Sequence, residues 1–206
     1  MSLLRAFIAI DIPPEIKQAI SSQTASLRKE SGRAVRWVAV ENIHLTLKFL
    51  GEVSITNLEL LMQAIQSECA QTAPFTIHVE SLGCFPNPRR PRVIWIGLAV
   101  PPELIRLHRQ AEATAARLGY APDDKPFAPH LTIGRVREQA DPAELQALRS
   151  LLERTTVASL GTFTVNEVHL YKSDLKPQGP MYTRLATARL EGSSETGTQA
   201  GKEAKK

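Results

Sequence analysis

Two periods run through the chain. Apolar residues alternate with polar ones, or form short apolar runs, over Leu4–Asp11, Val35–Val40, His44–Leu50, Phe75–Leu82, Val93–Val100, His130–Val136, Phe163–Tyr171 and Met181–Leu190. Alternation with a period of two predicts strands. Elsewhere apolar residues recur at steps of three and four. Leu58, Leu61, Met62, Ile65 and Cys69 share one face of a helix predicted over Thr56–Thr72. Further helices are predicted over Pro13–Lys29, Pro102–Leu118 and Asp141–Arg154. Prolines suit the first turn of each, Asp141 suits an N-cap, and Gly119 suits a helix stop.

Helices are mixed with β-hairpin candidates and do not follow a strict βαβ repeat. That predicts an α+β protein with mainly antiparallel sheets. A doubly wound nucleotide-binding fold is disfavoured, since no Gly-x-Gly-x-x-Gly or Walker-type loop occurs. Residues 1–190 read as a single domain. Residues 191–206 lack any apolar period and read as a disordered polar tail. The N-terminal run is interrupted by Asp11 and Pro13-Pro14, so it reads as a first strand and not as a signal peptide. The expected location is therefore the cytoplasm, with no membrane association. Cys69 and Cys84 are expected to be reduced and packed.

The net charge of +4 is mild and compatible with an anionic partner without naming one. The chemistry lies in a repeated pattern. His44-Leu45-Thr46-Leu47 occurs in the first half of the folded chain and His130-Leu131-Thr132-Ile133 in the second. On a strand, His and Thr share one face while the apolar residues share the other. The apolar face can sit on helices, leaving the His-Thr face toward a cleft. Taken singly, either histidine is more simply a packed or solvated one. Two copies among five histidines, at the same strand parity, point to a shared site. His78, His108 and His169 lack the Thr two places on and are read as structural.

The paired motif resembles that of the two-histidine phosphoesterase superfamily. Its surroundings resemble the RNA 2′,3′-cyclic phosphodiesterase branch, also called the 2′–5′ RNA ligase family. The matching stretches are Arg5–Pro13, Trp37, Asn42–Gly51, Pro91–Gly97, Phe127–Arg135, Leu170–Ser173 and Gly179–Tyr182. The resemblance implies a bilobal α+β fold in which two related antiparallel sheets with outer helices flank a central cleft. It implies hydrolysis of an RNA-terminal 2′,3′-cyclic phosphate to a 2′-phosphate. It also implies His44 as proton donor and His130 as proton acceptor, an order that the residues alone leave open.

Imidazole suits both proton transfers because its pKa near 6.5 keeps both forms accessible. Thr46 and Thr132 can donate hydrogen bonds to non-bridging phosphate oxygens. Two histidines without a third ligand at suitable spacing make a poor zinc site, so no metal or cofactor is expected. Lys48, on the strand face of His44 and Thr46, is a candidate phosphate contact. Arg135 matches a family phosphate-contacting arginine. Strict alternation puts it on the wrong face, and Gly134 would permit the bulge that corrects this. Phe7 matches a position the family uses for stacking on a base or ribose. Arg89, Arg90 and Arg92 form a basic loop, more simply solvated than RNA-binding. Trp37 and Trp95 are expected in the core.

The expected partners are RNA ends bearing a cyclic phosphate, tRNA halves among them, or nucleoside cyclic phosphates; a monomer is expected. The competing readings are a 2′–5′ RNA ligase, a phosphodiesterase for small cyclic nucleotides, and a non-catalytic RNA-binding module.

Overall fold

The computed structural model describes residues 3–177 and 179–193. From residue 194 onward the expected polar tail lies outside the described residues. Among the described residues nine strands form: β1 (Leu3–Asp11), β2 (Val35–Trp37), β3 (His44–Ser54), β4 (Phe75–Phe85), β5 (Val93–Ala99), β6 (Leu131–Val136), β7 (Gly161–Val165), β8 (Glu167–Lys176) and β9 (Gly179–Arg189). The helices are α1 (Pro14–Gln23), α2 (Ala25–Glu30), α3 (Ile55–Ala70), α4 (Pro102–Arg117) and α5 (Pro142–Arg154). Asp141 caps α5 through a capping box with Glu144, as its sequence position predicts. No helix among the described residues is long and apolar enough to cross a membrane.

The fold is α+β and the pairing antiparallel. The strand order β7-β4-β5-β6-β3-β1-β8-β9 consists of two four-strand halves. They meet where β3 lies beside β6, and the one residue pair recorded there is Leu45 with Leu131. The expected two related sheets are thus one continuous curled sheet, narrowed at its middle. Apolar side chains from both halves, among them Ile8, Leu45, Ile77, Ile94, Ile96 and Leu131, are fully buried on the helix-covered face. The opposite face stays open.

Three predicted elements differ. The first helix breaks at Thr24, whose φ of −98° and ψ of 6° are not helical and whose hydroxyl donates to the Ile20 carbonyl. Such side-chain bonding offers the backbone an alternative to helix. The second predicted strand shortens to Val35–Trp37 and is followed by a 3-10 turn at Val40–Asn42. Phe163–Tyr171 is not one strand. It divides at Asn166, and its two parts go to opposite halves of the sheet: β7 pairs with β4 and β8 with β1. A local apolar pattern has no means of encoding which partner each part takes.

Cys69 and Cys84 are free and buried. Burial and the neighbouring Glu68 charge push the Cys69 thiol up to about 12.

Candidate active site

The Leu45–Leu131 pair sets the relation between the two repeated motifs. In antiparallel register, one step either way puts His44 across from Thr132 and Thr46 across from His130. The leucines point to the buried face, so these four side chains occupy the open one. Diagonal neighbours across such a pair lie about 7 Å apart. That gap between the two histidines can hold a small tetrahedral anion.

Both rings are held alike. His44 Nδ1 bonds the Asn42 carbonyl at 2.8 Å, and His130 Nδ1 bonds the Ala128 carbonyl at 2.7 Å. A carbonyl only accepts, so each Nδ1 carries a proton and each Nε2 is left to take or give one. Burial is the main influence that lowers both histidine pKa values, and the Arg135 charge acts in the same direction on both. The carbonyl bonds oppose this in both rings. Asp11 opposes it at His44 only, and Lys17 adds to the lowering there.

The surroundings of the two rings differ. His44 stacks on Phe7 at 4.9 Å between centroids with the planes 28° apart, and meets the edge of Tyr182 at 5.2 Å. Asp11 is its cross-strand partner. The Asp11 carboxylate accepts from Tyr171 Oη at 2.7 Å and from Arg184 Nη2. Burial first, and then donation to Asp11, push the Tyr171 phenol up to about 12. The buried His169 lies 3.7 Å from Asp11 and bonds Thr187 at 3.0 Å. On the other side, His130 meets the edge of Phe85 at 5.0 Å and lies 6.4 Å from Trp95. Trp95 is therefore at the open face, opposite Thr132, and not in the core as expected. It lies over Gly83, where a Cβ would come within 2.2 Å of the indole ring.

The structure brings His44, Thr46, His130 and Thr132 together. Arg135 joins them by a bulge. The register of β5 against β6 shifts between Ile94 and Trp95, and Ile133 and Gly134 are both buried. Arg135 thereby returns to the face of Thr132. Gly134 also permits close packing of β2, since a Cβ there would lie 2.8 Å from Val35 and 2.9 Å from Trp37.

Lys48 does not join them. A second bulge, between Ile8 and Ala9 of β1, leaves Leu47 as the extra residue of β3 and turns Lys48 to the helix side. There it is 1% exposed and forms ion pairs with Glu112 at 2.7 Å and Asp123 at 2.8 Å, while also donating to the Ala121 carbonyl. Burial pulls its pKa down, but the bonds to Asp123 and Glu112 carry it above the usual lysine value. Its charge is already neutralised, so the expected phosphate contact is corrected to a tie between β3 and the chain leading to His130. Phe7 does face the cleft, but it is 3% exposed and enclosed by His44, Tyr171 and Tyr182. A base has no access to it, and its role is to support His44. Phe49, 58% exposed and 6.1 Å from Phe7, is the open aromatic on that face.

The sequence reading gives Asp11, Tyr171, Tyr182 and Phe85 no role in the site. Asp11 and the two tyrosines lie in stretches that carry the family resemblance, and Asp11 is also a charged residue at the same strand parity as Phe7. His108 is structural: its Nδ1 bonds the Leu47 carbonyl and its ring stacks on Phe127 at 3.8 Å, bracing the approach to His130. Among the described residues, no group of three or more His, Cys, Asp or Glu side chains is placed to hold a metal ion.

The model of the LigT like phosphoesterase family matches the chain twice, at residues 10–95 and 96–182, so each match contains one His-x-Thr motif. The chain is 33% identical over 187 residues to the RNA 2′,3′-cyclic phosphodiesterase of Methanothermobacter thermautotrophicus, covering 91% of this chain and 99% of that protein. It is 34% identical over 186 residues to the Escherichia coli enzyme of the same description, covering 88% and 93%. Its fold is similar to the crystal structure of E. coli LigT complexed with 3′-AMP, with a TM-score of 0.73 and 31% identity, covering 92% of this chain and 99% of that one.

Proposed function

Because the chain belongs to the LigT-like phosphoesterase family, we propose that it hydrolyses RNA-terminal 2′,3′-cyclic phosphates to 2′-phosphates with its two histidines and without a metal. The observation that supports this reading is the pairing of Leu45 with Leu131, which puts both His-x-Thr motifs on one face of the sheet, each histidine bonded through Nδ1 to a backbone carbonyl with Nε2 left for proton transfer.

The cyclic phosphate lies in that gap. Its non-bridging oxygens accept from the Thr46 and Thr132 hydroxyls, and Arg135 offsets their charge. His130 Nε2 takes a proton from water as the water oxygen attacks phosphorus. The bond from phosphorus to the 3′-oxygen breaks, and His44 Nε2 protonates that oxygen as it leaves. The asymmetry around the rings supports this order. Asp11 favours a charged His44, and the Phe7 ring stacked on it favours an imidazolium. His130 has no comparable carboxylate influence. Phe49 takes the stacking role that the sequence suggested for Phe7.

The test is to incubate the protein with a nucleoside 2′,3′-cyclic phosphate in excess chelator and to separate the products. The expected product is the 2′-phosphate. Formation of the 3′-phosphate, or activity restored only by added metal, would overturn the reading. The expected monomer and the single domain over residues 1–190 belong to the same proposal, and light scattering checks the former.

A further inference from the structure

Beyond the histidines, one feature of the open face has no structural partner. Strand β2 pairs with β6 so that Arg36 lies directly across from Arg135. Val35 is buried and Trp37 packs toward α2, with the Arg28 guanidinium 4.9 Å from its ring. Arg36 therefore projects with Arg135 toward solvent on the open face, and both are exposed. Like charges directly opposed on a sheet destabilise it. Among the described residues, neither guanidinium forms an ion pair that would relieve the repulsion.

Arg137 extends the row. It is exposed, at the same parity as Arg135, and its backbone N–H donates to the Ala34 carbonyl. Arg135 lies two ladder steps beyond Thr132, about 7 Å, and Arg137 the same distance further on. The basic loop borders this row, since the Arg92 carbonyl accepts from Val136 N. The field of Arg135 reaches both histidines, so the row is continuous with the site and not a separate patch.

We propose that Arg36 and Arg137, together with Arg135, form a second phosphate subsite that receives the 5′-phosphate group of the nucleotide whose cyclic phosphate lies between the histidines. An anion there turns the Arg36–Arg135 repulsion into a shared attraction. The distance from the histidine gap is on the order of one nucleotide. The subsite selects RNA ends over nucleosides lacking a 5′-phosphate. This rests on the phosphodiesterase reading.

The experiment compares uridine 2′,3′-cyclic phosphate with its 5′-phosphorylated form, on the wild type and on Arg36→Gln and Arg137→Gln proteins. In the wild type the 5′-phosphate is expected to raise kcat/KM on the order of tenfold, the scale of a charge-assisted hydrogen bond. Each substitution removes most of that gain and leaves the unphosphorylated substrate unchanged. A trinucleotide ending in the cyclic phosphate separates a chain diester from a terminal monoester. With it, Arg36→Gln should reduce the logarithmic salt slope by about 0.7. No wild-type preference for the 5′-phosphate, or a preference that survives both substitutions together, overturns the subsite. Turnover of neither substrate refutes the phosphodiesterase reading instead. Calorimetric binding of the two nucleotides to wild-type protein would then decide the subsite on its own.

Discussion

Leu45 of β3 and Leu131 of β6 face each other as the residue pair through which the two halves of the sheet join. Both are fully buried, and each stands between the His and the Thr of its own motif. The apolar contact that closes the sheet thus also fixes the separation of the two imidazoles.

Truncating that contact is expected to damage stability and alignment together. Leu131→Ala should cost about 3–5 kcal/mol, the range for a large-to-small change in a packed core. Chemical denaturation measures the loss. In the fraction still folded, kcat is expected to fall more than KM rises, because the rings remain present but are displaced.

Burial holds both histidines below the usual imidazole pKa, and Arg135 reinforces this. The proposed acid–base pair needs one ring charged and one neutral. As pH rises through a lowered pKa, the charged ring is lost early, so kcat/KM is expected to peak below about pH 6.5 and to decline above it. A bound phosphate favours the imidazolium, so the falling limb of kcat should lie at higher pH than that of kcat/KM. Steady-state rates across pH check both limbs. A kcat/KM optimum well above neutrality would contradict the site electrostatics.

Asp11 is the carboxylate that acts on His44 and not on His130. Asp11→Asn removes a charge that raises the His44 pKa and leaves Arg184 without its carboxylate partner. The falling limb should then move to lower pH. Activity on the alkaline side of the optimum should drop severalfold, with recovery on the acid side. Ultraviolet titration supplies an independent reading. The Tyr171 phenol, held at about 12 by burial and by Asp11, should ionise at lower pH once the carboxylate is gone.

Lys48→Met separates the corrected role from the original expectation. Removing one partner of a buried ion pair leaves Glu112 uncompensated, and a loss of about 3 kcal/mol is expected on denaturation. A phosphate contact would instead show as a raised KM with unchanged stability.

Much of the site was legible in sequence because its elements are local. A period of two places His and Thr on one face of each strand and the leucines on the other, whatever the strands pair with. The capping box of α5 and the helices α3 and α4 follow in the same way from nearby residues. The duplicated motif at matched parity was enough to pick out His44, Thr46, His130 and Thr132.

Other features depended on pairing. The bulge that removes Leu47 from the ladder exists only against β1. It reverses the face of Lys48, which alternation had put beside Thr46. The bulge at Ile133 exists only against β5, and it brings Arg135 to the site. Phe163–Tyr171 reads as one strand until two distant partners divide it at Asn166. Trp95 reads as core until Gly83 of the neighbouring strand provides a surface for it at the open face.

The sequence by itself therefore determined the paired His-x-Thr pattern of the candidate site and the strand face each histidine occupies, because side-chain direction along one strand is a local property of the backbone. Only the tertiary structure decided which side chains share the cleft, which charges are already neutralised and which aromatic is open. Those depend on register, and register is set by the hydrogen bonds and packing of segments far apart in the chain.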